Sequence, residues 1–96
     1  MIHSRNDYQR IQDPENKIPV DEPVFLLRAQ DVTAANIVRA WVKVNRKHLI
    51  KDMKEKKINV HQYLARRKLI CTAEAHAYRM EDWLPRKPAD APVTEP

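Results

Sequence analysis

From Val32 to Leu84 the chain runs without a proline or glycine, and apolar residues recur there at helical spacing. Asp31 is a good N-cap for a helix starting at residue 32. At about 100° per residue, Ala34, Ile37, Val38, Trp41, Val42, Leu49 and Met53 share one broad face. That pattern predicts a helix over about 32–56, with Trp41 in the core. Asn59 followed three residues later by Gln62 reads as a capping box. It opens a second helix, over about 60–84, with Tyr63, Ile70, Ala73, Ala77, Met80 and Leu84 along one side. A short connection between two such helices predicts an antiparallel helical hairpin.

The segments before and after are of another kind. Asp13-Pro14-Glu15-Asn16 reads as a turn, because Pro pre-sets its backbone and Asn tolerates unusual φ values. Pro19 and Pro23 push the residues before them toward extended geometry. Residues 1–23 therefore form an extended arm, expected to lie over the body through Tyr8, Ile11 and Ile18. Residues 24–29, Val-Phe-Leu-Leu-Arg-Ala, are a short apolar run whose length and composition favour a buried strand. A first helical turn competes with that reading, since periodicity cannot separate them over six residues. A strand would need a second pairing segment or a dimer partner. The tail from 85 holds Pro85, Pro88, Pro92 and Pro96 and is expected to be disordered. The expected fold is mainly α: arm, strand-like 24–29, helical hairpin, loose tail, with 1–84 as a single small domain.

Composition narrows the chemistry. With no glycine in 96 residues, phosphate-cradling Gly loops and Gly-based hairpins are excluded. One cysteine permits neither an internal disulfide nor a cysteine-built zinc site. Cys71 and His76 diverge on a helix, and neither a CxxC nor an HExxH pair exists, so no metal or cofactor is expected. Cys71 reads as a small buried hydrophobe, and His48 with Asp52 as a structural polar pair at i,i+4. The Asp21-Glu22 and Glu81-Asp82 pairs are sequential and point apart, and the single serine, Ser4, has no spaced base and acid. No enzymatic activity is expected. The residues Met1–Asp7 lack an apolar core for a secretion signal, and the longest apolar run, Val24–Leu27, is far too short for a membrane span.

Charge adds the strongest local feature. The chain carries net charge +5, and residues 31–58 hold eight basic against three acidic groups. Arg39, Lys43, Arg46, Lys47, Lys51, Lys54 and Lys57 lie within about 140° of one another on the first helix, with Ile50 inside the stripe. Such a face suits a phosphate backbone, an acidic protein surface, or plain solvent. Trp41, Tyr78 and Trp83 are the aromatic candidates for partner contact. Trp83, just ahead of Pro85 at the expected end of the second helix, suits either packing against the N-terminal arm or anchoring a partner, since an amphipathic ring serves both.

The segments Ile18-Pro19-Val20-Asp21-Glu22-Pro23-Val24-Phe25-Leu26-Leu27-Arg28-Ala29-Gln30-Asp31, Val38-Arg39-Ala40-Trp41 and His76-Ala77-Tyr78-Arg79-Met80-Glu81-Asp82-Trp83 together form a phrase. It resembles a group of small bacteriophage and prophage proteins with the pattern IPxDEPVFLLRAQD…VRAW…HAxxMxxW. The basic density from Arg46 to Lys57 is not part of that phrase. The resemblance implies the cytoplasm of a bacterial host and action by binding a host or phage macromolecule. The leading expectation is a non-enzymatic accessory protein that binds a host or phage protein, with an inhibitory effect among its expected modes. The alternative is nucleic-acid binding through the basic face of helix 32–56. A homodimer is also consistent with so small a core.

Overall fold

The computed structural model describes residues 1–4 and 13–85, and it divides the chain into two compact units, the second beginning at Arg28. Tyr8 and Ile11 of the expected arm, and the Pro-rich tail from 86, lie outside the described residues.

The described residues of the first unit, Met1–Leu27, form turns and one short strand pair. Asn16 adopts the left-handed region at φ 52°, and its N–H donates to the Asp13 carbonyl at 2.9 Å. The Asp13 carboxylate then accepts the N–H groups of Lys17 (3.1 Å) and Ile18 (2.8 Å). This is the turn expected over 13–16, with Asn at the position that needs positive φ. Strands β1 (Ile2–His3) and β2 (Pro23–Val24) pair in parallel, Ile2 opposite Pro23 and His3 opposite Val24. The strand-like run 24–29 is thereby corrected: only Val24 of it is in a strand, and Phe25 is 71% exposed. Its partner is two residues long, so the ladder stops where Ile2–His3 stops. The pairing segment is in the chain itself, and this strand needs no second copy.

The second unit is the helical hairpin. Helix α1 spans Ala34–Lys54 and α2 spans Val60–Glu81. Their ion pairs run in opposite order, Arg39 with Glu81, Arg46 with Glu74 and Arg66 with Asp52, so the helices are antiparallel. Both are shorter than their periodicity suggests. Asp31 does not cap α1; its carboxylate takes the Thr33 N–H (2.8 Å) and hydroxyl (2.7 Å) in a local turn. Those bonds hold its carboxyl below the usual aspartate range. The cap position falls to Thr33. At the same end of the hairpin, α2 stops at Glu81, leaving Trp83 and Leu84 beyond the helix, where Pro85 disfavours a helical residue before it.

The link between the helices closes as a Schellman motif. The Lys57 N–H reaches the Asp52 carbonyl at 2.9 Å and the Lys56 N–H the Met53 carbonyl at 3.1 Å. Lys56 holds the left-handed position, φ 58°, that glycine normally takes. Lys56→Gly should therefore stabilise the chain by about 0.5–1 kcal/mol, net of the added entropy of the unfolded chain. A lower urea midpoint for this variant would contradict the reading. Asn59 then starts α2 with the expected capping box: its side chain accepts the Gln62 N–H (2.8 Å), and the Gln62 side chain accepts the Asn59 N–H (2.9 Å).

Between the helices, Val42, Leu49 and Ile70 form the core cluster, with Ile58, Tyr63 and Ala73 packed against it. Ala34, Ala35, Ala77 and Met80 are also buried. Trp41, expected in this core, is 42% exposed, and Ile37 and Met53 of the same broad stripe are exposed as well. A single neighbouring helix covers only part of a stripe about 160° wide, and α2 sits on the Val42–Leu49 side of it. Leu84 at the end of the second stripe is exposed. No helix among the described residues is long and apolar enough to cross a membrane.

Candidate functional site

Six of the seven residues of the expected basic face lie on α1; Lys57 lies in the connection after it, paired with Glu55 at 2.9 Å. The six divide by chemistry. Arg39 and Arg46 sit at the edge of the interhelix seam and are taken up by carboxylates of α2. Arg46 binds Glu74 through both terminal nitrogens, at 2.7 and 2.9 Å. Arg39 binds Glu81 at 2.6 Å, with its guanidinium carbon 5.0 Å from the centre of the Tyr78 ring. A planar guanidinium fits a carboxylate at two points, and this geometry suits Arg where Lys would not do. The Arg46 hydrogen bond holds the Glu74 carboxyl below the usual glutamate range, and Glu74 in turn raises Arg46. Glu81 likewise raises Arg39.

Lys43, Lys47, Lys51 and Lys54 remain exposed, with no ion pair among the described residues. Lys51 and Lys54 occupy the last turn of α1, where positive charge also favours the helix dipole. Ile50, inside the stripe, is 52% exposed.

A groove of about 360 Å³ lies along the seam on this side. Val42 lies at its floor, and the Arg46–Glu74 pair lines it. Lys43, Lys47 and Ile50 form its α1 wall and Tyr78, 58% exposed, part of its α2 wall. By helical register, Val60, Leu64 and Cys71 fall on the same face of α2 as Tyr78, and all are exposed. Cys71 is thus not the buried hydrophobe expected; its sulfur is 4.0 Å from Arg46 at the groove edge.

The opposite edge of the seam holds another pair. Asp52 accepts from Arg66 at 2.8 Å, and this bond keeps the aspartate carboxyl below its usual range. The expected partner, His48, is exposed and adds only a lesser electrostatic attraction to Asp52, whose hydrogen bond comes from Arg66 of the facing helix. Trp83, the candidate anchor, is 56% exposed just past α2, and its N–H reaches the Met80 carbonyl at 3.3 Å. The structure therefore brings Lys43 and Lys47 to one groove with Ile50 and Tyr78, and leaves Trp83 outside it.

The α2 wall and the two glutamates were missed by sequence reasoning. A signal for the wall did exist: Val60, Leu64, Arg67, Cys71, Glu74 and Tyr78 repeat at alternating spacings of four and three. Among the described residues no group of three or more His, Cys, Asp or Glu is placed to hold a metal ion. Comparison of the chain with family models, with curated proteins and with solved structures returns no match.

Proposed function

We propose that this is a non-enzymatic binding protein that acts on another protein, a host or phage component in the cytoplasm of a bacterial host, and docks on it through the groove side of α1. One observation carries the reading: the basic face is not uniform. Its arginines, the residues best suited to grip phosphates, are engaged by Glu74 and Glu81. What faces outward is lysine interleaved with apolar surface at Ile50 and Tyr78. Apolar side chains gain by burial against a protein and little against a phosphate backbone. Trp83 supplies a second exposed aromatic for contact. Inhibition of the bound protein is the form of action this reading favours.

Nucleic-acid binding is the second reading, favoured by the four lysines without ion pairs on one helix. Titrating a labelled mixed-sequence duplex with the full-length chain, at low and near-physiological salt, separates the two. On the protein-binding reading the duplex shows only weak, non-specific association, and a protein retained from host lysate by the wild type is lost from Lys47→Glu plus Lys51→Glu. Micromolar duplex binding that falls steeply with salt, and disappears in that double variant, would move nucleic acid to the front.

A further inference from the structure

We propose that the groove on the Arg46–Glu74 side of the hairpin receives one amphipathic α-helix of the partner protein, its apolar ridge on the α2 wall and an acidic flank against the lysines of α1. This rests on the protein-binding reading above and names the partner's chemistry.

Lys43, Lys47, Ile50 and Lys54 follow one another by four, three and four residues along α1. Val60, Leu64, Arg67, Cys71, Glu74 and Tyr78 keep the same alternation along α2. A four–three repeat keeps side chains on one line of a helix, and it is the pattern that a facing helix reads. Here both lines border the same seam: Lys43, Lys47 and Ile50 line the groove with Tyr78, and register extends the α2 line through Cys71 and Leu64 to Val60. From Arg39 to Lys54 the α1 wall is about 22 Å long at 1.5 Å per residue, room for about four turns of a third helix. Two packed helices offer one layer, and a third laid along the seam completes a bundle.

The charges choose the occupant. The α1 wall presents lysines without ion pairs, and the carboxylates at the seam, Glu74 and Glu81, are already bound to Arg46 and Arg39. The lysines thus lie on the α1 wall, while the α2 line carries exposed Val60, Leu64 and Tyr78, with the cation Arg67 between Leu64 and Cys71. A helix that satisfies both walls has leucine-like residues toward α2 and Asp or Glu toward α1, the helix-in-groove mode of recognition. A second copy of this chain would bring lysines against lysines at the same wall. A nucleic acid would leave the α2 line unburied.

The test is an NMR titration of the isotope-labelled full-length chain with three synthetic peptides of about 20 residues, long enough to span the groove. One carries a leucine ridge at four–three spacing with glutamate flanks, one the same ridge with lysine flanks, and one the first composition in scrambled order. A mixed-sequence duplex is titrated at the same ionic strength. The glutamate-flanked peptide is expected to bind at least about tenfold more tightly than the other two, with shifts centred on Lys43, Lys47, Ile50, Leu64 and Tyr78. Lys43→Glu plus Lys47→Glu, and separately Tyr78→Ala, should each weaken it about tenfold or more. If the charge reversal disturbs folding by circular dichroism, Lys43→Gln plus Lys47→Gln replaces it, with a smaller loss of affinity expected. Equal binding of all three peptides, or shifts that map away from the groove, would overturn the helix-docking proposal. The protein-binding reading would then still be judged by the lysate experiment. A duplex that shifts the groove residues more strongly than any peptide would overturn both.

Discussion

Leu49→Ala is expected to lower the stability of the chain by about 2–4 kcal/mol. Leu49 is buried and belongs to the cluster of Val42 and Ile70 that joins the two helices. Truncation removes buried methyl groups and leaves a cavity, since Ile58, Tyr63 and Ala73 pack around this cluster and cannot all collapse into the space. Helix propensity works slightly the other way, because Ala is the better helix former, so the loss reports packing rather than local structure. A chain of this size has a total stability of roughly 5–14 kcal/mol, so one such change is a large share of it. Urea unfolding followed by circular dichroism measures the effect. Leu49→Met, nearly equal in volume, should stay within about 1.5 kcal/mol of the wild type. A Leu49→Ala loss below about 1 kcal/mol would mean that the helices are held together elsewhere.

The second large effect is expected from the opposite error, overfilling. Ala77 on α2 is fully buried, while Ala75, two residues earlier, is exposed. Ala77→Leu inserts three carbon atoms where no space exists and should destabilise by about 1–3 kcal/mol. Ala75→Leu makes the same chemical change in the same helix and should be neutral within about 0.5 kcal/mol. The difference between the two variants cancels helix propensity and isolates the buried position. Equal effects would show that α2 is rotated from the orientation described, with the Ile70–Ala77–Met80 side no longer toward the core.

These two predictions also mark the boundary between local and tertiary information. The capping box of Asn59 and Gln62, the turn at Asp13–Asn16 and the approximate course of both helices were legible in the sequence. Each depends on residues within three or four positions of one another, so the residue types suffice. The lysine stripe was legible for the same reason, because helical register alone places Lys43, Lys47 and Lys54 together.

What the sequence left open was which part of each broad stripe would be covered. The apolar arc of α1 is wider than one helix can bury, and only the docking of α2 decided that Val42 and Leu49 go inside while Trp41 stays half exposed. The division of the basic face came the same way. Arg39 meets Glu81 across 42 positions and Arg46 meets Glu74 across 28, separations over which no periodicity carries information. The two-residue strand at Pro23–Val24 found its partner at Ile2–His3, a segment too short to signal a strand by pattern. Local hydrogen bonding and helical periodicity determined the elements. The choice of packed face, and with it which cations remain without an ion pair beside the groove, was made by tertiary contact, because burial is a property of two surfaces together.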